Sequence, residues 1–166
     1  GFERIALVRT PMRHVVCTDS LAMASRKRSA KDLGIDIGKG DERALFKWFL
    51  ASYLFGKRVQ QSVAEHAYHV LVDVHKLDSP RKICRHSWQE LVDMLGEGHY
   101  VRYDESTADR LLQVCRKLDE EFGGKLTRLH EMSEGPEDLE RRLLEFKGVG
   151  PKTLEIFMRE ARHVWT

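Results

Sequence analysis

The residues best suited to chemistry lie together in Lys147-Gly148-Val149-Gly150-Pro151-Lys152-Thr153. Glycine at 148 and 150 permits backbone angles that other residues resist, and it leaves no side chain to hold an anion away from the amides. Pro151 presets the first turn of a helix and gives up an N–H that would have no partner there. The turn amides and the following helix N-terminus then point at one spot, an anion site suited to a nucleic-acid phosphate. Lys147, Lys152 and Thr153 add side-chain donors.

Two helices must hold that turn. Pro136 opens the first at its tolerated N1 position, with Leu139, Leu143 and Leu144 facing a core. The second runs from about Pro151 to His163, and Val149 plugs into the space between the two. The segment from Leu139 to Met158 resembles a helix-hairpin-helix, expected over 136–163. That resemblance implies a grip on double-stranded DNA, largely through phosphates, with weak sequence preference and strong salt dependence. The alternative is a glycine turn that serves helix packing alone.

The rest of the chain reads as helices. Asp41 is an N-cap for the segment Ala44–Phe55, which is apolar almost all round and so must be central; Gly56 ends it. Val59, Val63, Ala67, Val70 and Val74 recur at helical spacing. Pro80 starts a short helix, and Ser87 with Glu90 forms a capping box for the next. Ala108, Leu111, Leu112, Cys115, Leu118 and Phe122 mark a long helix stopping at Gly123-Gly124, and a further turn of helix covers Leu126–Met132. No strand pattern of useful length and no fixed-period repeat is visible. The expected fold is all-α: a multi-helix orthogonal bundle with a C-terminal helix-hairpin-helix, one domain over 41–166 preceded by an irregular basic arm over 1–40.

That arm holds eight Lys/Arg against four acidic residues, with one helix expected near Ser20–Lys31. Arg26-Lys27-Arg28 is either a phosphate contact or a solvated basic turn. The net charge of the whole 166-residue chain is only +2, so global charge does not announce a nucleic-acid partner. No apolar run approaches the roughly 18 residues that span a bilayer, and no export signal is visible. Gly1 leaves the true start open. The three cysteines, Cys17, Cys84 and Cys115, are far apart, which favours a reduced compartment over disulfides and excludes close-spaced zinc or iron–sulfur ligands. His66 and His69 sit three apart on a helix; without a third ligand nearby they read as a surface pair, and no metal site is expected. The location expected is cytoplasmic and nucleoid-associated.

Beyond the hairpin, the helix order from Asp41 to Trp165 resembles the endonuclease III-like DNA glycosylase superfamily. The helices Ala44–Phe55 and Val59–Val74 are similar to that family's central pair, and Gly96–Tyr103 to the region that reaches into the duplex. The resemblance implies base flipping and cleavage of a glycosidic bond. In lyase-type members a hairpin lysine attacks the sugar as a Schiff-base nucleophile, and Lys152 occupies that place. Such an amine needs a lowered pKa, which burial beside a helix N-terminus would supply; a plain phosphate ligand is the other reading of Lys152. Tyr53 stands where many members carry a glutamine and either stacks on a base or packs. Lys57 and Arg58 join the expected DNA-binding set.

Two further departures, besides Tyr53, accompany the resemblance. The family's essential aspartate lies farther past the hairpin lysine than Thr166, and Glu155 and Glu160 lie on the helix itself. The four-cysteine cluster loop has no counterpart, so no cofactor is expected beyond room for a monovalent cation at the hairpin. Val164 and Trp165, read as apolar surface left bare at a terminus, favour a fragment lacking the catalytic tail. Three functions follow as expectations: a base-excision glycosylase with lyase activity through Lys152, a non-catalytic helix-hairpin-helix DNA-binding module, or a helical scaffold that never meets DNA.

Overall fold

The computed structural model describes residues 28–38 and 40–165. Among them are eight α-helices and no strand: α1 Glu42–Phe55, α2 Gln61–His69, α3 Pro80–Cys84, α4 Trp88–Glu97, α5 Asp104–Phe122, α6 Leu126–Met132, α7 Pro136–Leu144 and α8 Pro151–Ala161. A 3₁₀ turn at Lys31–Leu33 precedes them, and a π-helical turn at Val70–Val74 extends α2. None of these helices is long and apolar enough to cross a membrane.

The central position of α1 follows from its composition. Leu45, Trp48, Leu50, Ala51, Tyr53 and Leu54 are fully buried, and the helix packs on α2, α6 and α8. Its polar ends are tied down. Asp41 accepts the Ala44 amide at 3.1 Å, and Glu42 accepts the Leu126 and Thr127 amides at 2.7 and 2.9 Å, which caps α6 as well. The Trp48 indole donates to the Phe157 carbonyl of α8 at 3.2 Å. Helices α3 and α4 lie along α5 on the other side of the core.

Local signals place most boundaries. Ser87 and Glu90 form the expected capping box, Gly123 ends α5 at φ +63°, and prolines begin α3, α7 and α8. The Val59–Val74 stripe departs from expectation at its end. The π-helical turn takes up an extra residue, the register slips, and Val74 is 64% exposed while Leu71 and Val72 turn inward.

The end of the basic arm docks onto the helices. Ala30, Leu33, Ile35 and Ile37 are buried, the Ala30 amide donates to Glu160 at 2.6 Å, and Arg28 pairs with Glu65 at 2.9 Å. Arg26, Lys27, Cys17 and the first residues of the helix expected near Ser20 lie outside the described residues. At the other end Trp165 is not bare. It stacks on His130 with ring centres 4.7 Å apart and meets Phe157 edge-on, so its apolar surface carries no argument about a fragment.

Asp138 organises the first turn of α7. Its carboxylate accepts the Glu134 amide at 3.0 Å and the Arg142 guanidinium at 3.0 Å, and also meets Arg141. The Glu134 amide first, then the two arginines, hold its pKa down at about 2, against 3.8 for an ordinary aspartate. A depressed carboxyl pKa stabilises the fold above the unfolded-state value, and that stability is lost as pH falls through the folded-state value. Asp138→Asn is therefore expected to be less stable than the parent at neutral pH, with the gap closing between pH 3.8 and about 2. Denaturant titrations across that range check it; a gap independent of pH contradicts it.

Candidate functional site

The turn between α7 and α8 is held from below by aromatic packing. Phe146 is buried with its ring centre 6.3 Å from Phe49 and 6.2 Å from Phe122. Val149 is buried too, and its amide donates to the Phe146 carbonyl at 3.1 Å. Val149 thus fills the place expected of it, as a plug rather than a contact with an outside ligand.

The two glycines have different reasons to be glycine. Gly148 has φ +88°, and a Cβ built there would lie 2.0 Å from the Tyr53 hydroxyl oxygen and 2.9 Å from Arg110 Cδ. Conformation and crowding both require it. Gly150 has φ −102° and ψ −175°, extended backbone open to any residue, and a Cβ there would meet nothing within 4 Å. Nothing inside the described structure asks for glycine at 150.

Above the packing, backbone donors stand free. The first α8 hydrogen bond runs from the Leu154 amide to the Gly150 carbonyl at 3.0 Å. Among the described residues, no acceptor lies within hydrogen-bonding reach of the Gly148, Gly150, Lys152 or Thr153 amides. Both glycines are partly exposed, and Lys147, Pro151 and Lys152 are exposed.

The structure sorts the remaining expected site residues. Tyr53 is fully buried, so the base-stacking alternative gives way to packing. Its hydroxyl donates to the Lys147 carbonyl at 3.2 Å, and burial pushes its pKa up. Thr153 is also corrected. Only 4% of it is exposed, because its side chain fills the space left by Gly56, where a Cβ would lie 2.1 Å from Thr153 Oγ1. That contact makes Gly56 a packing glycine and leaves the Thr153 hydroxyl facing protein. Lys152 is exposed, so the burial expected to activate its amine is missing. Arg58 is exposed on the segment after α1.

Lys152 and Lys57 come together in a cleft of about 280 Å³ beside the turn, with Arg28, Arg159 and Glu155 around it and Phe55, Val59 and Ile156 as apolar surface. Lys57 is half-buried, its Nζ 5.6 Å from the centre of the Tyr53 ring. Burial, and secondarily the nearby Arg110 guanidinium, pull its pKa below the usual lysine value. Sequence reasoning missed Arg110 and Arg159. Arg159 was readable, since Lys152, Glu155, Ile156 and Arg159 follow helical spacing on one face of α8. Arg110 carried no signal: it sits on the polar side of α5, and only the fold brings it against Gly148. His69 faces Asp73 at 2.6 Å and His66 meets His99 edge-on. Among the described residues no group of three or more His, Cys, Asp or Glu is placed to hold a metal ion.

No family model, curated protein or solved structure matches this chain.

The contrast between the glycines is testable. Gly148→Ala is expected to cost about 2 kcal/mol or more, from left-handed backbone strain and overpacking against Tyr53. For a chain of this size that lowers the midpoint of thermal unfolding by roughly 4–8 °C. Gly150→Ala is expected to leave it unchanged within about 2 °C, or slightly raised. Circular-dichroism melts compare them; equal losses would refute the distinction.

Proposed function

We propose that this chain is a DNA-binding protein of the base-excision-repair kind, related in design to the endonuclease III-like DNA glycosylases. On this reading α7, the turn and α8 form a helix-hairpin-helix at the end of an orthogonal helical bundle. The observation that carries it is Gly150, a glycine that neither conformation nor packing demands, placed among unpartnered amides at the start of an 11-residue helix. A bare backbone there lets a phosphate approach the Gly150 and Lys152 amides, with Lys147 and Lys152 supplying charge. Contacts of this kind position a duplex without reading its sequence. Such work places the protein in the cytoplasm with the nucleoid.

Within that reading, chemistry and binding separate. The exposure of Lys152 favours its role as a phosphate ligand, which supports the second reading of a non-catalytic DNA-binding module. Glycosylase or lyase activity needs a different residue to act on the sugar. The scaffold alternative leaves Gly150 and the free amides without a purpose.

Fluorescence anisotropy with a short labelled duplex tests the proposal. Affinity is expected to fall steeply with salt, and Lys152→Ala to reduce the slope of log affinity against log salt by about one. Gly150→Val is expected to weaken binding by on the order of tenfold, about the loss of one charge-assisted hydrogen bond, while melting like the parent. Salt-independent affinity, or full affinity in Gly150→Val, refutes it.

A further inference from the structure

We propose that His66 and His99 together bind a divalent transition-metal ion, zinc foremost, where the link between α4 and α5 lies against α2. The site requires nothing of the turn between α7 and α8 and stands apart from the nucleic-acid reading.

Local backbone brings the two rings together. Helix α4 closes with two bonds, from the Tyr100 amide to the Leu95 carbonyl at 2.9 Å and from the His99 amide to the Gly96 carbonyl at 3.0 Å. That closing pattern needs a left-handed residue at 99, and His99 has φ +65°. Gly98 lets the link rest directly on α2, since a Cβ there would lie 2.7 Å from Ala67 Cα. His66 adjoins Ala67 on α2, and its ring centre lies 5.6 Å from that of His99.

The residue type at 99 is the second observation. Glycine is the usual occupant of such a position, because a side chain there is strained. Burial does not explain the histidine. Both rings are exposed, and among the described residues neither has a hydrogen-bond or ion-pair partner. His69, His75 and His86 each face a carboxylate and His130 stacks on Trp165, whereas His66 and His99 face each other. Two imidazoles with free nitrogens are thus held side by side by a backbone that favours a different residue.

The spacing suits one shared ion. A neutral imidazole binds zinc through a ring nitrogen at about 2.0–2.1 Å, so two rings on one ion stand about 5–6 Å apart, centre to centre. The observed 5.6 Å lies within that span. Exposed rings turn their nitrogens toward an ion by side-chain rotation alone. Zinc has no geometric preference of its own, and the positions left open by the two rings belong to water. The bound ion ties the link between α4 and α5 to α2, and binding to the folded chain alone raises its stability.

The test titrates zinc into the full chain, freed of any histidine tag, by isothermal calorimetry, and follows unfolding by circular dichroism. Zinc is expected to raise the melting midpoint by roughly 3–6 °C when free zinc stands at about ten times the dissociation constant. His99→Gly suits the left-handed backbone, so without metal it is expected to melt at or above the parent. His99→Gly and His66→Gln are each expected to bind zinc at least about tenfold more weakly, because even an outer-shell partner is worth about that much to a metal site. His69→Ala is expected to keep the parent affinity within about threefold. No zinc binding by the parent, undiminished binding in His99→Gly, or a loss in His69→Ala as large as in His66→Gln overturns the assignment.

Discussion

The contact of the Tyr53 hydroxyl with the backbone at 147 and 148 joins the central, buried helix to the turn whose amides lack partners among the described residues. Tyr53 is fully covered, and its hydroxyl donates to the Lys147 carbonyl. A buried phenol without a partner is costly, so the carbonyl is needed there as much as the hydroxyl. The tyrosine occupies the space of a side chain at 148, and the backbone passes over it at positive φ, so both crowding and conformation call for glycine. Helix α7 has ended at Leu144 before that passage, and α8 starts after it at Pro151 with the Lys152 and Thr153 amides unpartnered among the described residues.

The same tyrosine shapes the electrostatics of the neighbouring cleft. Helix α1 ends at Gly56, a position kept small by Thr153 of α8, and the chain leaves it through Lys57. The close fit of Gly56 against Thr153 draws the end of α1 and the start of α8 together. Lys57 and Lys152 then face one cleft from different parts of the chain. Clustered positive groups in a concavity increase its attraction for an anion. Lys57 is the half-buried one of the two lysines in the cleft, and burial, with Arg110 second, lowers its pKa.

Much of the architecture was legible because its signals are local. Asp41, the Ser87–Glu90 pair, Gly123 and the prolines at 80, 136 and 151 act within a turn of the boundary they mark, so reading them needs no knowledge of neighbours. The all-round apolar α1 was legible for a related reason, since such a helix is stable only when surrounded. Periodicity failed at Val74, where a π-helical turn slipped the register; that turn packs on α4, a contact that no local pattern records. The arm's last residues carried their basic charge openly, but the burial of Ile35 and Ile37 depended on helices they do not adjoin in sequence.

At the site the division is sharper. Residue types alone established that 147–153 forms a turn between two helices, because proline fixes its own backbone and glycine admits angles that other residues resist, whatever surrounds them. Tertiary structure alone decided the fate of the side chains. Tyr53, which the sequence left between stacking and packing, and Thr153, which it offered as a donor, are both buried against partners far away in the chain, at Lys147 and Gly56. Arg110 meets Gly148, and Lys57 becomes the half-buried amine beside Lys152, through packing between helices. Burial and proximity are properties of the assembled core, so they have no counterpart in the order of residues along the chain.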